Sequence, residues 1–214
     1  VGLLADGNLA NERGEKLKLQ VMGSGQRNFT SRQQALFDAL MRDVLNEGFA
    51  DFTVDAAARR YRCSKSTMYS LGANRDEILR GVIVEFFRGV ARATEPVWVE
   101  DGVDLPCVEV LEGYFAAIAR ALEPASEKFM RDLLAEPVAQ EVYSVNTAAA
   151  VKVVDGILSA GVEFGEFSIE SVGFVSRLIQ RSLQDIQSGV YLDVLPNARA
   201  YAAFGELVIR GLER

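Results

Sequence analysis

The chain has 214 residues, 49% hydrophobic and 25% charged, with 23 Lys+Arg against 30 Asp+Glu and no histidine. That length buries a sizeable core as one large or two small domains, and the absence of histidine removes the commonest general base and the commonest metal ligand. With no glycine-rich phosphate loop and no metal-ligand spacing, the composition argues against an enzyme and calls for no cofactor.

The charge is unevenly distributed. From Arg27 to Arg92 there are 11 Lys+Arg against 8 Asp+Glu, whereas from Ala93 onward there are 9 against 19. A mildly basic head on an acidic body directs a polyanion to the head. Cys63 and Cys107 lie on separate predicted elements, form no disulfide framework, and are read as buried free thiols rather than a redox switch. No apolar run approaches the roughly 18 residues that span a bilayer, and the first 30 residues are too charged and glycine-broken for a signal peptide, so a cytoplasmic protein with no membrane partner is expected.

Residues 1–30 show no sustained period and read as an arm, possessing in Lys16, Lys18 and Arg27 some basic character that acidic neighbours offset. Ser31 opens a helix in which Leu36, Phe37, Leu40, Met41, Val44 and Leu45 form one apolar stripe, with Gly48 as its stop. Thr53 is the predicted N-cap of a second helix, whose stripe is Val54, Ala57, Ala58 and Tyr61. After Arg62 and Cys63, Ser64 repeats the capping signal. From that cap Met68 and Leu71 point inward, leaving Lys65, Ser66, Tyr69 and Ser70 exposed. Two short helices joined by a tight turn, the second offering hydroxyl and basic donors, make a helix-turn-helix, whose second helix enters the DNA major groove. Asn74 caps a long helix carrying Ile78, Leu79, Val82, Ile83, Phe86, Phe87 and Val90, with Asp76 and Glu77 favourably placed in its first turn.

Thr94 to Pro106 holds two prolines, a glycine and the single tryptophan, and is the predicted junction. Further helices are predicted over 107–122, 126–135, 138–164 with a break near Ser144, 169–188 with Ser168 as cap, and 197–212 with Asn197 as cap. Period-two alternation is absent, so almost no strand is expected. The fold class is therefore all-α: an arm over 1–30, a three-helix head over 31–92 whose last helix connects to the body, and a helical body over 93–214.

The stretch Gly48-Phe49, Thr53, Ser64, Thr67-Met68-Tyr69, and Arg75 leading into Ile78-Leu79 resembles the TetR family of transcriptional regulators over roughly residues 31–92. By position, the resemblance makes Lys65, Ser66 and Ser70 groove-facing candidates and Thr53, Thr67, Tyr69 and Arg75 phosphate-positioning ones. Tyr69 reads either as a groove residue or as a core aromatic with its hydroxyl at the surface. Arg62 stands where the family has a turn glycine, which predicts a positive φ at a non-glycine residue. Leu71 and Gly72 replace the polar-aromatic pair that ends the family's recognition helix.

The resemblance further implies a body that dimerises and holds a small-molecule effector. The last two helices, rich in apolar residues and alanines, suit either a four-helix contact between two copies or an intramolecular core. Trp98, Tyr114, Phe115, Phe129, Tyr143, Phe164, Phe167 and Phe174 are candidates to line an apolar pocket, or are plain core. The expected partners are a palindromic operator in double-stranded DNA, a hydrophobic effector, and a second copy of the chain. The expected role is a repressor, the alternative being a regulator-derived protein that binds a partner without reading DNA.

Overall fold

The computed structural model describes residues 28–97, 99–100, 102–191, 193–195 and 197–212. The arm, with Lys16, Lys18 and Arg27, and the single Trp98 lie outside the described residues. Nine helices and one two-residue hairpin are present among them: α1 Ser31–Glu47, α2 Val54–Arg60, α3 Lys65–Tyr69, α4 Arg75–Ala93, β1 Val99–Glu100, β2 Val103–Asp104, α5 Cys107–Leu122, α6 Glu127–Ala135, α7 Pro137–Glu163, α8 Val172–Gln187 and α9 Asn197–Leu212. The fold is all-α, as expected.

Local chemistry sets most helix starts. The hydroxyls of Thr30, Thr53, Ser64 and Ser126 and the amide oxygen of Asn74 each accept a bond from a first-turn amide that has no helical partner. Ser171, not Ser168, caps α8. Helix α7 runs unbroken past Ser144, whose hydroxyl bonds back to the Glu141 carbonyl within the helix. A helix of 27 residues, α7 also meets the length and apolarity of a membrane span, contrary to the expectation; here it packs against α4, α5, α6 and α8.

Two apolar cores result. The first joins α1 to α4 and extends to Phe129, Met130 and Leu133 on α6 and Ala139 and Tyr143 on α7. The second gathers α5, the C-terminal half of α7, α8 and α9 around Leu111, Ile157, Leu158 and Ile179. Helix α4 carries the first core from the head toward the body, burying eight residues along its inner side. Cys107 is buried, but Cys63 is only half-buried because it sits in the α2–α3 turn. Burial pushes the Cys107 thiol up to about 12, with the Glu166 carboxylate beside it adding to the shift.

Candidate nucleic-acid interface

Helix α2 buries Val54, Ala57 and Ala58 and ends in a turn that α3 needs. The Cys63 amide donates to the Ala58 carbonyl at 3.0 Å and the Arg62 amide to the Arg59 carbonyl at 3.2 Å, the paired closure that ends helices on a left-handed residue. That residue is Arg62, at φ 50 the one positive-φ non-glycine among the described residues. Arg62→Gly is therefore expected to stabilise the fold by about 0.5–1 kcal/mol, read as a rise in Tm, because it removes a backbone strain on the order of 1 kcal/mol.

Ser64 then starts α3, its Oγ accepting from the Thr67 amide at 3.0 Å and lying 2.9 Å from Thr67 Oγ1. Met68 is fully buried and Leu71 nearly so, pinning one side of the short helix. Lys65, Ser66, Tyr69 and Ser70 are exposed, Thr67 is half-buried, and Thr53 is exposed at the neighbouring helix start. Tyr69 is 45% exposed, which excludes the core reading of that ring. The Ser70 hydroxyl donates to the Thr67 carbonyl at 2.7 Å. Gly72 has a different task from the one its position suggested: a Cβ there would lie 2.7 Å from the Ile78 amide nitrogen, so its bareness lets the segment after α3 rest on the first turn of α4.

The electrostatics of the face were not visible in the sequence. Lys65 Nζ is 2.7 Å from Asp55 Oδ1 on α2, and this bond with its attached charge raises the lysine pKa. Arg60 makes a two-pronged contact with Glu47, both bonds 2.6 Å, and lies 2.9 Å from Asp43. Asp43 also accepts from the Tyr61 hydroxyl at 2.6 Å, so α1 holds the end of α2 in place. Arg59 and Arg62, exposed beside the turn, have no ion-pair partner among the described residues and are cationic candidates that the pattern of the sequence did not single out.

Arg75 is engaged with the α1–α2 turn. Its Nε donates to the Phe52 carbonyl at 2.9 Å and Nη2 to the carbonyls of Phe49 at 3.2 Å and Ala50 at 3.0 Å, with Asp76 at 2.9 Å and Glu136 at 3.6 Å. From the other side, buried Asp132 on α6 accepts from the amides of Phe49 at 2.6 Å and Ala50 at 2.9 Å. The α1–α2 turn is thus held by a guanidinium on its carbonyls and a carboxylate on its amides. Asp132 carried no sequence signal beyond an acidic residue on an otherwise apolar helix stripe.

The aromatic candidates disperse. Phe129 is a core plug under the head, edge-on to Phe49 at 5.6 Å and Phe86 at 5.2 Å. Tyr114 and Phe115 are buried in the second core, and Phe167 is buried against Gly161. Tyr143 is buried between α4 and α8, its hydroxyl donating to Gln187 Oε1 at 2.7 Å. Phe174 and Phe164 are 62% and 70% exposed, Phe174 because it falls on the side of α8 away from its buried stripe and Phe164 because it stands just past the end of α7.

A helix-turn-helix head on a body that is helical apart from one short hairpin defines the fold. Solved structures of TetR-family transcriptional regulators share that fold over most of the chain. The regulator PfmR from Thermus thermophilus matches with a TM-score of 0.63 at 20% identity, over 84% of this chain and 99% of that one. A TetR-family regulator from Marinobacter aquaeolei VT8 matches with a TM-score of 0.68 at 12% identity, over 86% and 92%. A tetR-family regulatory protein from Rhodococcus RHA1 matches with a TM-score of 0.64 at 16% identity, over 86% and 98%. No protein-family model and no curated protein matches the sequence.

Proposed function

We propose that the chain is a DNA-binding transcriptional regulator, acting as a repressor whose grip on a palindromic operator is altered by a small hydrophobic effector. The carrying observation is the pinned helix-turn-helix: Met68 and Leu71 bury one side of α3, leaving Lys65, Ser66, Tyr69 and Ser70 directed to solvent beside the cations Arg59 and Arg62. Hydroxyls and cations bond phosphate oxygens and set register, whereas a residue such as Lys65 reads base edges. The shared fold supports the same reading, since the solved structures it resembles are transcriptional regulators.

A palindromic site needs two heads, and the last two helices supply a surface for the contact. Phe174 and Leu178 on α8 and Leu207 on α9 are exposed by more than half, an apolar surface suited to a second copy. The test is fluorescence anisotropy with a duplex selected from random DNA. Lys65→Ala is expected to weaken specific binding by about 1–3 kcal/mol, and affinity is expected to fall steeply with salt. A flat salt response at the selected duplex sinks the proposal.

One observation favours the second reading, a helical protein that binds a partner without reading DNA. Several head cations, Lys65 and Arg60 beside α3 among them, already have carboxylate partners, which weakens the field offered to a polyanion. Failure to enrich any duplex in the selection decides for it.

A further inference from the structure

The two apolar cores meet at a polar cluster. Tyr143 on α7 belongs to the first core and Tyr201 on α9 to the second, and Gln187 at the end of α8 lies by both. The Tyr143 hydroxyl is satisfied, donating to Gln187 Oε1 at 2.7 Å, and its ring stands 6.1 Å from Phe87 on α4. The Tyr201 hydroxyl is different. Its residue is 8% exposed and its oxygen makes no well-formed hydrogen bond among the described residues, although the Gln187 amide is near enough to act on it. Buried hydroxyls nearly always have a partner, and one left without is costly.

Beside this cluster a stretch of α7 is not buried. Between Tyr143 and Val154, α7 has ten residues of which none is buried, about 15 Å of helix, although both flanks of that stretch are core. Asn146, Thr147, Ala149, Ala150, Val151 and Val153 are half-buried there. Side chains that are small and mostly apolar thus adjoin a polar cluster that has an unmade bond. The neighbours acting on the Tyr201 hydroxyl, Gln187 and Tyr143, are both neutral, and burial raises the phenol pKa, so it keeps its proton and acts as a donor.

We propose that this seam is the effector subsite, in which Tyr201 Oη, with the Gln187 side-chain amide beside it, donates to the carbonyl oxygen of an uncharged, otherwise apolar small molecule lying along α7. The inference rests on reading the body as effector-binding, and it narrows that reading to a chemical class. At the phenol itself a carboxylate or an ammonium would meet only neutral neighbours, and a pure hydrocarbon would leave the hydroxyl unsatisfied. Through Tyr143 and Phe87 an occupant is one contact from α4, the helix that continues from the head.

The test is isothermal titration of the full chain with three probes of equal length, 2-decanone, decanoate and decylamine, on wild type and on the nearly isosteric Tyr201→Phe. The ketone is expected to bind wild type at least about tenfold more tightly than either charged probe, and Tyr201→Phe to weaken the ketone about five- to tenfold. Thermal melting of the unliganded Tyr201→Phe variant is expected to give an unchanged or higher Tm, since an unsatisfied hydroxyl is removed. Probes that bind both proteins equally, or a variant that melts lower because the phenol holds only a buried water, overturn the subsite and leave the effector reading standing. No binding by any probe overturns the subsite and the effector reading together.

Discussion

Asp132→Ala is expected to destabilise the protein by about 3–5 kcal/mol, measured by urea unfolding and by Tm. Asp132 is buried, and a single oxygen, Oδ2, accepts both the Phe49 amide at 2.6 Å and the Ala50 amide at 2.9 Å. Truncation leaves these two donors without an acceptor, each at about 1–3 kcal/mol, and opens a void beside Lys128 and Gly48. Asp132→Asn keeps an acceptor oxygen and gives up the charge, so a loss of about half that size is expected. The effect is not confined to stability. The turn that Asp132 and Arg75 hold sets the angle between α1 and α2, and α2, opened by its cap Thr53, carries Asp55 and Arg59 beside α3. DNA affinity of Asp132→Asn, measured where the variant is fully folded, is expected to fall, although the residue is on α6 and distant from the exposed face of α3. An unchanged affinity would show that the turn does not position the head.

Gly161→Ala is the second large expectation, about 2–4 kcal/mol of destabilisation. A Cβ at Gly161 would lie 2.1 Å from Phe167 Cδ2 and 2.3 Å from its Cε2, so the buried ring has no room to remain. Phe167 is tied to the same residue through its backbone, its amide and that of Glu166 both donating to the Gly161 carbonyl, at 3.0 and 2.8 Å. Expelling a buried phenyl group costs about 3–5 kcal/mol, offset by about 1 kcal/mol of better helix propensity for alanine. A double-mutant cycle isolates the mechanism. In a Phe167→Ala background the same Gly161→Ala change is expected to be neutral or to stabilise by up to about 1 kcal/mol. Additive losses in the cycle would mean that the clash with the ring is not the cause.

Much of the local architecture was legible along the chain. The apolar stripes of α1 and α4, the caps at Thr53, Ser64 and Asn74, and the stop at Gly48 depend on groups within a few residues of each other, and spacing reveals them. The left-handed backbone of Arg62 was legible only through the resemblance, which puts a turn glycine at that position. The cap of α8 was misplaced by three residues because two serines compete there, and only the position of the packed helix selects Ser171. The break expected at Ser144 did not form, as a serine can return its hydroxyl to a carbonyl of its own helix.

Side-chain roles separated along the same line. The inward pair Met68 and Leu71 and the outward set Lys65, Ser66, Tyr69 and Ser70 follow from a period of 3.6, so the face of α3 is a property of the sequence read locally. Partnerships are not periodic. Asp55 lies ten positions before Lys65, Arg75 serves carbonyls 23 to 26 residues away, and Asp132 reaches amides at separations of 82 and 83. The aromatic residues were equally ambiguous along the chain, because a phenyl ring at helical spacing suits a core, a pocket wall or an outer face. Which helix passes in front of it distinguishes Phe129, Tyr143 and Phe174. The stripes, caps and exposed turn of α3 were set by short-range geometry. Tertiary packing alone decided which charges are neutralised, which turn is clamped and where the phenol of Tyr201 is left without a partner, since these depend on distances across space that sequence separation does not encode.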